Sequence, residues 1–183
     1  MSKVRPVKPA GKAATHGAAG RGRAAKSLRE TYEDSCREHA AHPNSVLLKL
    51  LPDRQGVGLA SDTLDLSRNY VGDRGVMPVL AVCQRSTQLK RLVLVENGLR
   101  NAGVINLCAV LAKHPSVTAV DLSSNYISQG AATALAQLLS ENPRIVDLGI
   151  ANTKFDVDAR LRLKELTQHN ANLRIAGGGA AAE

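Results

Sequence analysis

The asparagines Asn69, Asn97 and Asn125 stand 28 residues apart, and Thr153 holds the next position of the same frame. Whole columns agree around them. Leu66, Leu94, Leu122 and Ile150 come three residues before each anchor, and Leu64, Leu92, Val120 and Leu148 come five before. Two after the anchors stand Val71, Leu99, Ile127 and Phe155. Six after come the small residues Gly75, Gly103, Ala131 and Ala159; ten after come Val79, Leu107, Leu135 and Leu163. Self-similarity at a fixed period of this length means stacked supersecondary units. No such unit can bury its apolar face alone, so each covers the next.

Each column has a physical task. An L-x-L core reads as a short strand, because alternate side chains face opposite ways. Leu64, Leu66, Leu92 and Leu94 then turn inward, while Asp65, Val93, Asp121 and Gly149 face the opposite surface. The chain must turn after the strand, leaving backbone groups that stacking would bury. An asparagine side chain both donates and accepts, so Asn69, Asn97 and Asn125 can satisfy those groups as a structural ladder. The small residue six further on lets a following helix approach its neighbour. That helix presents Val79, Val82 and Cys83, then Leu107, Val110 and Leu111, then Leu135, Leu138 and Leu139.

The frame L-x-x-L-x-L-x-x-N-x-L, met in full by Leu89, Leu92, Leu94, Asn97 and Leu99, resembles a leucine-rich repeat. The 28-residue length with a helical second half resembles the ribonuclease-inhibitor-like class. The resemblance runs over about residues 61–173, with departures at Ser61 and Thr153. It implies an α/β solenoid of about four repeats, with short parallel strands on the concave side and helices on the convex side. Ahead of it, Leu28, Tyr32 and Cys36 recur every four residues, the spacing of one helical face, and "SVLLKLL" follows Pro43. This pair reads as an N-terminal helical cap over residues 28–60. A Tyr-x-x-x-Cys helix before such repeats is similar to leucine-rich repeat proteins of cilia and flagella. Beyond 173 the repeat columns stop, and residues 174–183 read as a flexible Gly/Ala tail. In the last helix, Arg160, Arg162 and Lys164 are expected to form a polar cap, with a docking edge as the alternative.

Charge divides the chain in two. Seven of the 24 basic residues (Lys3, Arg5, Lys8, Lys12, Arg21, Arg23 and Lys26) lie in residues 1–27, which contain no acid. The remainder is nearly neutral, with 17 basic and 16 acidic groups. The tail has too little apolar surface to offset the entropy of ordering and is expected to be disordered when free. Its cations suit a polyanion through salt-sensitive contacts, with acidic tubulin tails or another acidic surface, nucleic acid and anionic membrane as candidates, nucleic acid ranking below the acidic protein surface. No run reaches the roughly 18 apolar residues of a membrane span, and no apolar signal region follows the basic start. Three cysteines without disulfide or zinc spacing point to a reducing intracellular compartment, with Cys83 and Cys108 in core columns.

Chemistry is sparse. His39 and His42 lack partners that would complete a metal-ligand set, and no P-loop or nucleophile elbow is present. His114 reads as a loop residue. Asp65 and Asp121 fall on strands about 10 Å apart with Val93 between, which suits a solvated ledge better than an acid–base pair. The expected metal, cofactor and catalytic complement is none. The concave positions are Asp62, Asp65 and Arg68, then Lys90, Val93 and Glu96, then Thr118, Asp121 and Ser124. Mixed in charge and without stacked aromatics, they favour a protein partner over nucleic acid. Tyr70 and Tyr126 share a column just past the asparagine; loop packing is the expected role, and an exposed rim the alternative.

The function expected is therefore a non-enzymatic protein–protein interaction scaffold. The ciliary resemblance implies a structural component of a cytoskeletal, microtubule-associated assembly in the axoneme of a cilium or flagellum. Two other readings remain open. One is a regulator of a small GTPase, since the activating protein for Ran has the same repeat class. The other is a ribonucleoprotein subunit whose basic arm contacts RNA.

Overall fold

The computed structural model describes residues 25–178. Helices α1 (Leu28–Glu38) and α2 (Ser45–Leu50) come first, followed by four strand–helix units. These are β1 (Thr63–Asp65) with α3 (Gly72–Arg85), and β2 (Arg91–Val93) with α4 (Asn101–Leu111). Then come β3 (Ala119–Asp121) with α5 (Gln129–Glu141), and β4 (Asp147–Gly149) with α6 (Val157–Gly178). The strands form one parallel sheet in the order β1-β2-β3-β4. Leu64 pairs with Leu92, Leu92 with Val120, and Val120 with Leu148, so the register equals the sequence period. This is a leucine-rich repeat solenoid.

The inward columns form the core. Leu66, Leu92, Leu94, Leu99, Leu107, Leu111, Leu122, Leu135 and Leu139 are fully buried. Burying each such side chain contributes about 1.5–3 kcal/mol, which is how three-residue strands are held in place.

Two hydrogen-bond ladders stitch neighbouring repeats. In the first, Asn97 Nδ2 donates to Leu66 O and Asn125 Nδ2 to Leu94 O, each at 2.8 Å and 31 residues back. Their Oδ1 atoms accept in the same direction. Asn97 Oδ1 takes the N–H groups of Asn69 and Val71, and Asn125 Oδ1 those of Asn97 and Leu99. At the N-terminal end Asn44, the N-cap residue of α2, donates to Asn69 Oδ1 at 3.2 Å and so ties the helical pair to the first turn. At the other end Thr153 Oγ1 donates only to Ile150 O. Arg160 covers this end instead, with Nη2 2.6 Å from Thr153 O, Nε 3.1 Å from Phe155 O and Nη1 3.4 Å from Ile150 O. Of these carbonyls only Ile150 O is in the ladder position that an asparagine 31 residues later would reach.

The second ladder lies at the helix C-termini. His114 Nε2 meets Cys83 O at 3.0 Å, Asn142 Nδ2 donates to Leu111 O, and Asn170 Nδ2 to Leu139 O. Carbonyls 83, 111 and 139 are thereby satisfied at the period of the repeat. His114 lies in the loop between α4 and β3, as expected, yet it is buried there, because it occupies the asparagine column of this second ladder. Its Nδ1 accepts from the backbone of Val117 while Nε2 donates, so both ring nitrogens are used.

The helical pair at the N-terminus is joined to α3. Ser27 and Glu30 make a reciprocal capping box on α1, and Arg85 from α3 donates to Thr31 Oγ1 and Lys26 O. Tyr32 is buried and its hydroxyl accepts the N–H of Asn44 at 2.8 Å, while Cys36 packs one turn on. At the far end α6 continues past residue 173 as helix to Gly178.

All three cysteines are buried and free. Desolvation pushes the Cys83 and Cys108 thiols up to about 12, and raises that of Cys36 as well. A raised thiol pKa leaves almost no thiolate at neutral pH, and the thiolate is the nucleophile. At pH 7.5 a disulfide reagent of the thionitrobenzoate type should therefore label none of them in the folded protein and all three after denaturation. Rapid labelling of Cys83 in the native state would contradict this packing.

Candidate docking surface

The strands place alternate residues on the concave face, so that face is read from the residues flanking each buried leucine. Asp65, Val93, Asp121 and Gly149 lie in one row, paired across the sheet by the strand register. Asp65 Oδ1 accepts the N–H and Oγ–H of Ser67, and Asp121 Oδ1 accepts the N–H of Ser123, which fixes both carboxylates as part of the turn. Val93 separates them, and they form no acid–base pair. Beside Asp121, a Cβ at Gly149 would lie 2.2 Å from Asp121 Oδ1, so a larger residue there requires the carboxylate to move.

A second concave row escaped the sequence reading. Arg91 and Asp147, both exposed, point from β2 and β4 across the buried Ala119 and pair at 2.7 Å. Strand alternation about Leu92 is the signal that could have found them. The row at Asp62, Lys90 and Thr118 instead sits at the strand entrances, where each carbonyl accepts two N–H groups from the next repeat. Asp62 and Lys90 pair at 3.1 Å, and this hydrogen bond from Lys90 holds the Asp62 carboxyl below the usual carboxylate range.

Arg68, Glu96 and Ser124 close the strip at the strand exits. Their φ values are 58°, 54° and 58°, a left-handed corner repeated with the period, and Asn152 continues it at 55°. Side chains other than glycine or asparagine adopt this region at a cost, so the turn is imposed by the stacked ladder. Arg68 and Glu96 pair across the corner at 2.8 Å. Of the nine residues expected on the concave face, Asp65, Val93 and Asp121 thus lie within the strands, while the other six lie at strand entrances and exits.

Tyr70 and Tyr126 border this strip, and here the loop-packing expectation fails. Tyr70 is 89 % exposed and Tyr126 65 % exposed, with Gly98 in the column between. The neighbouring columns already fill the turn, Asn97 and Asn125 with hydrogen bonds and Leu99 and Ile127 with apolar contact, so no cavity is left for a ring. Lys26 is ion-paired to Asp34. The other tail cations, Lys3, Arg5, Lys8, Lys12, Arg21 and Arg23, lie outside the described residues. Among the described residues no cluster of three His, Cys, Asp or Glu could hold a metal ion, and no helix is long and apolar enough to cross a membrane.

Among known proteins, a leucine-rich repeat family model matches residues 63–80, the span from β1 into α3. No curated protein matches the chain. A solved structure of similar shape is actin-binding site 2 of leiomodin-1, at 14% sequence identity and a TM-score of 0.48, covering 81% of this chain and 91% of that one. Actin binding is a property of that protein.

Proposed function

We propose that the chain is a non-enzymatic docking scaffold of the ribonuclease-inhibitor-like repeat class, built into a cytoskeletal assembly of the ciliary or flagellar axoneme. One observation carries the docking reading. Two exposed tyrosines stand beside a concave strip whose other side chains are short, fixed or paired. Exposed aromatic rings contribute nothing to the fold there, and Tyr is enriched among the residues that anchor protein partners. The strip next to them offers mixed charge at set spacing, which suits register and specificity more than raw affinity. The basic tail supplies a second, salt-sensitive contact to an acidic surface such as tubulin. The axonemal placement rests on the Tyr32-x-x-x-Cys36 helix ahead of the repeats.

The test is fractionation of tagged protein in a flagellated cell. Three forms are compared: the parent, a form with Lys3, Arg5, Lys8, Lys12, Arg21 and Arg23 changed to alanine, and Tyr70→Ser/Tyr126→Ser. The parent should stay with detergent-extracted axonemes at low salt and release as salt rises, and the tail variant should release at lower salt. The tyrosine variant should leave the axoneme while its thermal midpoint stays within about 2 °C, because surface substitutions away from packing usually change stability by under about 0.5 kcal/mol. Release of the parent into the detergent-soluble fraction would end the axonemal reading. Retention of the tyrosine variant at parental salt would end the role of the rim.

A further inference from the structure

On the opposite side from the tyrosines, α1, α2, the segment after α2 and the end of α3 enclose a cavity of about 640 Å³. Its lining is unlike the concave strip. Lys26, Lys49 and Arg85 contribute three cations, and no Asp or Glu lines it. Lys26 pairs with Asp34, but neither Lys49 nor Arg85 pairs with a carboxylate among the described residues. Leu50 and Val57 line the same space and are each 47 % exposed, so the cavity offers an apolar wall as well as charge. Part of the wall is a short glycine-bearing segment, in which Gly56 takes φ +73° with open space around it.

We propose that this cavity docks an acidic linear peptide segment of a partner protein. An aliphatic side chain of the peptide lies against Leu50 and Val57, and its carboxylates face Lys49 and Arg85. Charge complementarity selects this occupant. The chain's own residues 1–24 are a poor filler, because they carry six basic residues and no acid, and like charges oppose entry. Their positive charge instead favours the approach of an acidic segment. Nucleic acid would meet the same charges, but no aromatic ring lines the cavity to stack a base. The site rests on the reading of the chain as a protein-docking module, while using a surface separate from the concave strip.

The test is fluorescence anisotropy with the full chain and a labelled peptide, Asp-Glu-Asp-Leu-Val-Asp-Glu. Lys49→Glu/Val57→Asp alters two exposed positions that hold no fold contact of note, and circular dichroism checks that the repeat is intact. The parent should bind the peptide, and this variant should weaken binding by about tenfold or more, the scale of a reversed charge contact at a docking site. Replacing Leu and Val of the peptide by Ser should weaken it several-fold, and alanine substitution of the six cations in residues 1–24 should slow association. Equal binding to parent and Lys49→Glu/Val57→Asp would overturn the cavity site and leave a contact made by the tail alone. An unlabelled RNA octamer that binds in the same Lys49- and Val57-dependent way, and as tightly, would overturn the choice of a peptide. Tyr70→Ser/Tyr126→Ser should leave peptide binding unchanged, so failure here and failure of the rim are read separately.

Discussion

Replacing Asn125 with alanine should lower the thermal midpoint by about 8–15 °C, close to the largest loss a single truncation can cause here. The side chain is 3 % exposed and makes hydrogen bonds in both directions. Nδ2 donates to Leu94 O at 2.8 Å and Leu122 O at 2.9 Å, while Oδ1 accepts the N–H groups of Asn97 at 3.1 Å and Leu99 at 3.0 Å. Alanine would leave two buried N–H donors and the Leu94 carbonyl without their side-chain partner. A buried group left unsatisfied costs about 1–3 kcal/mol, so a total of about 3–5 kcal/mol is expected for the site. Thr153→Ala is the internal comparison. In the same column Thr153 makes one bond, to Ile150 O at 2.8 Å, and its loss should cost about 1 kcal/mol. Thermal unfolding followed by circular dichroism measures both, and a near-equal drop for the two variants would refute the ladder as the source of the effect.

Gly103→Ala should destabilise by about 2–3 kcal/mol, although alanine is the better helix former by about 1 kcal/mol. The reason lies in the next repeat back. Asp73 Oδ1 accepts the N–H of Arg100 at 2.8 Å and of Gly103 at 3.2 Å, and so caps α4 from the start of α3. A Cβ on residue 103 would fall 2.4 Å from that oxygen and 3.3 Å from the Asp73 Cα. The carboxylate must leave, taking with it a cap of the kind worth about 1 kcal/mol or more, and the helices are pressed apart. In an Asp73→Ala background the oxygen is already gone. There the same glycine change should cost under about 1 kcal/mol, since only the backbone contact opposes the gain in propensity. A double-mutant cycle reads the coupling directly, and equal costs in the two backgrounds would show that the close approach is not to Asp73.

Both effects depend on contacts 26 to 31 residues apart, which explains what could be read from the sequence. In a solenoid each residue's spatial neighbour is its own column mate, so the 28-residue frame is also the contact map. Leu64, Leu92, Val120 and Leu148 announced the strand register for that reason. In the second ladder His114 and Asn142 visibly share a column ahead of Pro115 and Pro143. Their difference in residue type hides the bond each makes to a carbonyl of the preceding repeat. The concave surface was legible in outline, but Arg91 and Asp147 were missed. Three-residue strands leave the entry point uncertain by one residue, and one residue exchanges inside for outside. For Tyr70 and Tyr126, the sharing of a column does not decide between loop packing and an exposed rim. Repetition marks a shared backbone geometry, and what the side chain meets there depends on whether its neighbours have already filled the space.

Arg160 has a consequence for how copies of this molecule can meet. An open repeat stack is a template at its last strand, and a head-to-tail contact that does not close on itself grows into a fibre. Here the last turn's carbonyls are already held by a guanidinium from α6, at 2.6 Å from Thr153 O and 3.1 Å from Phe155 O. A second copy adding its first repeat would have to evict that charge before it could form any ladder of its own. The same side chain that finishes the fold therefore also stands between the last turn and any further ladder.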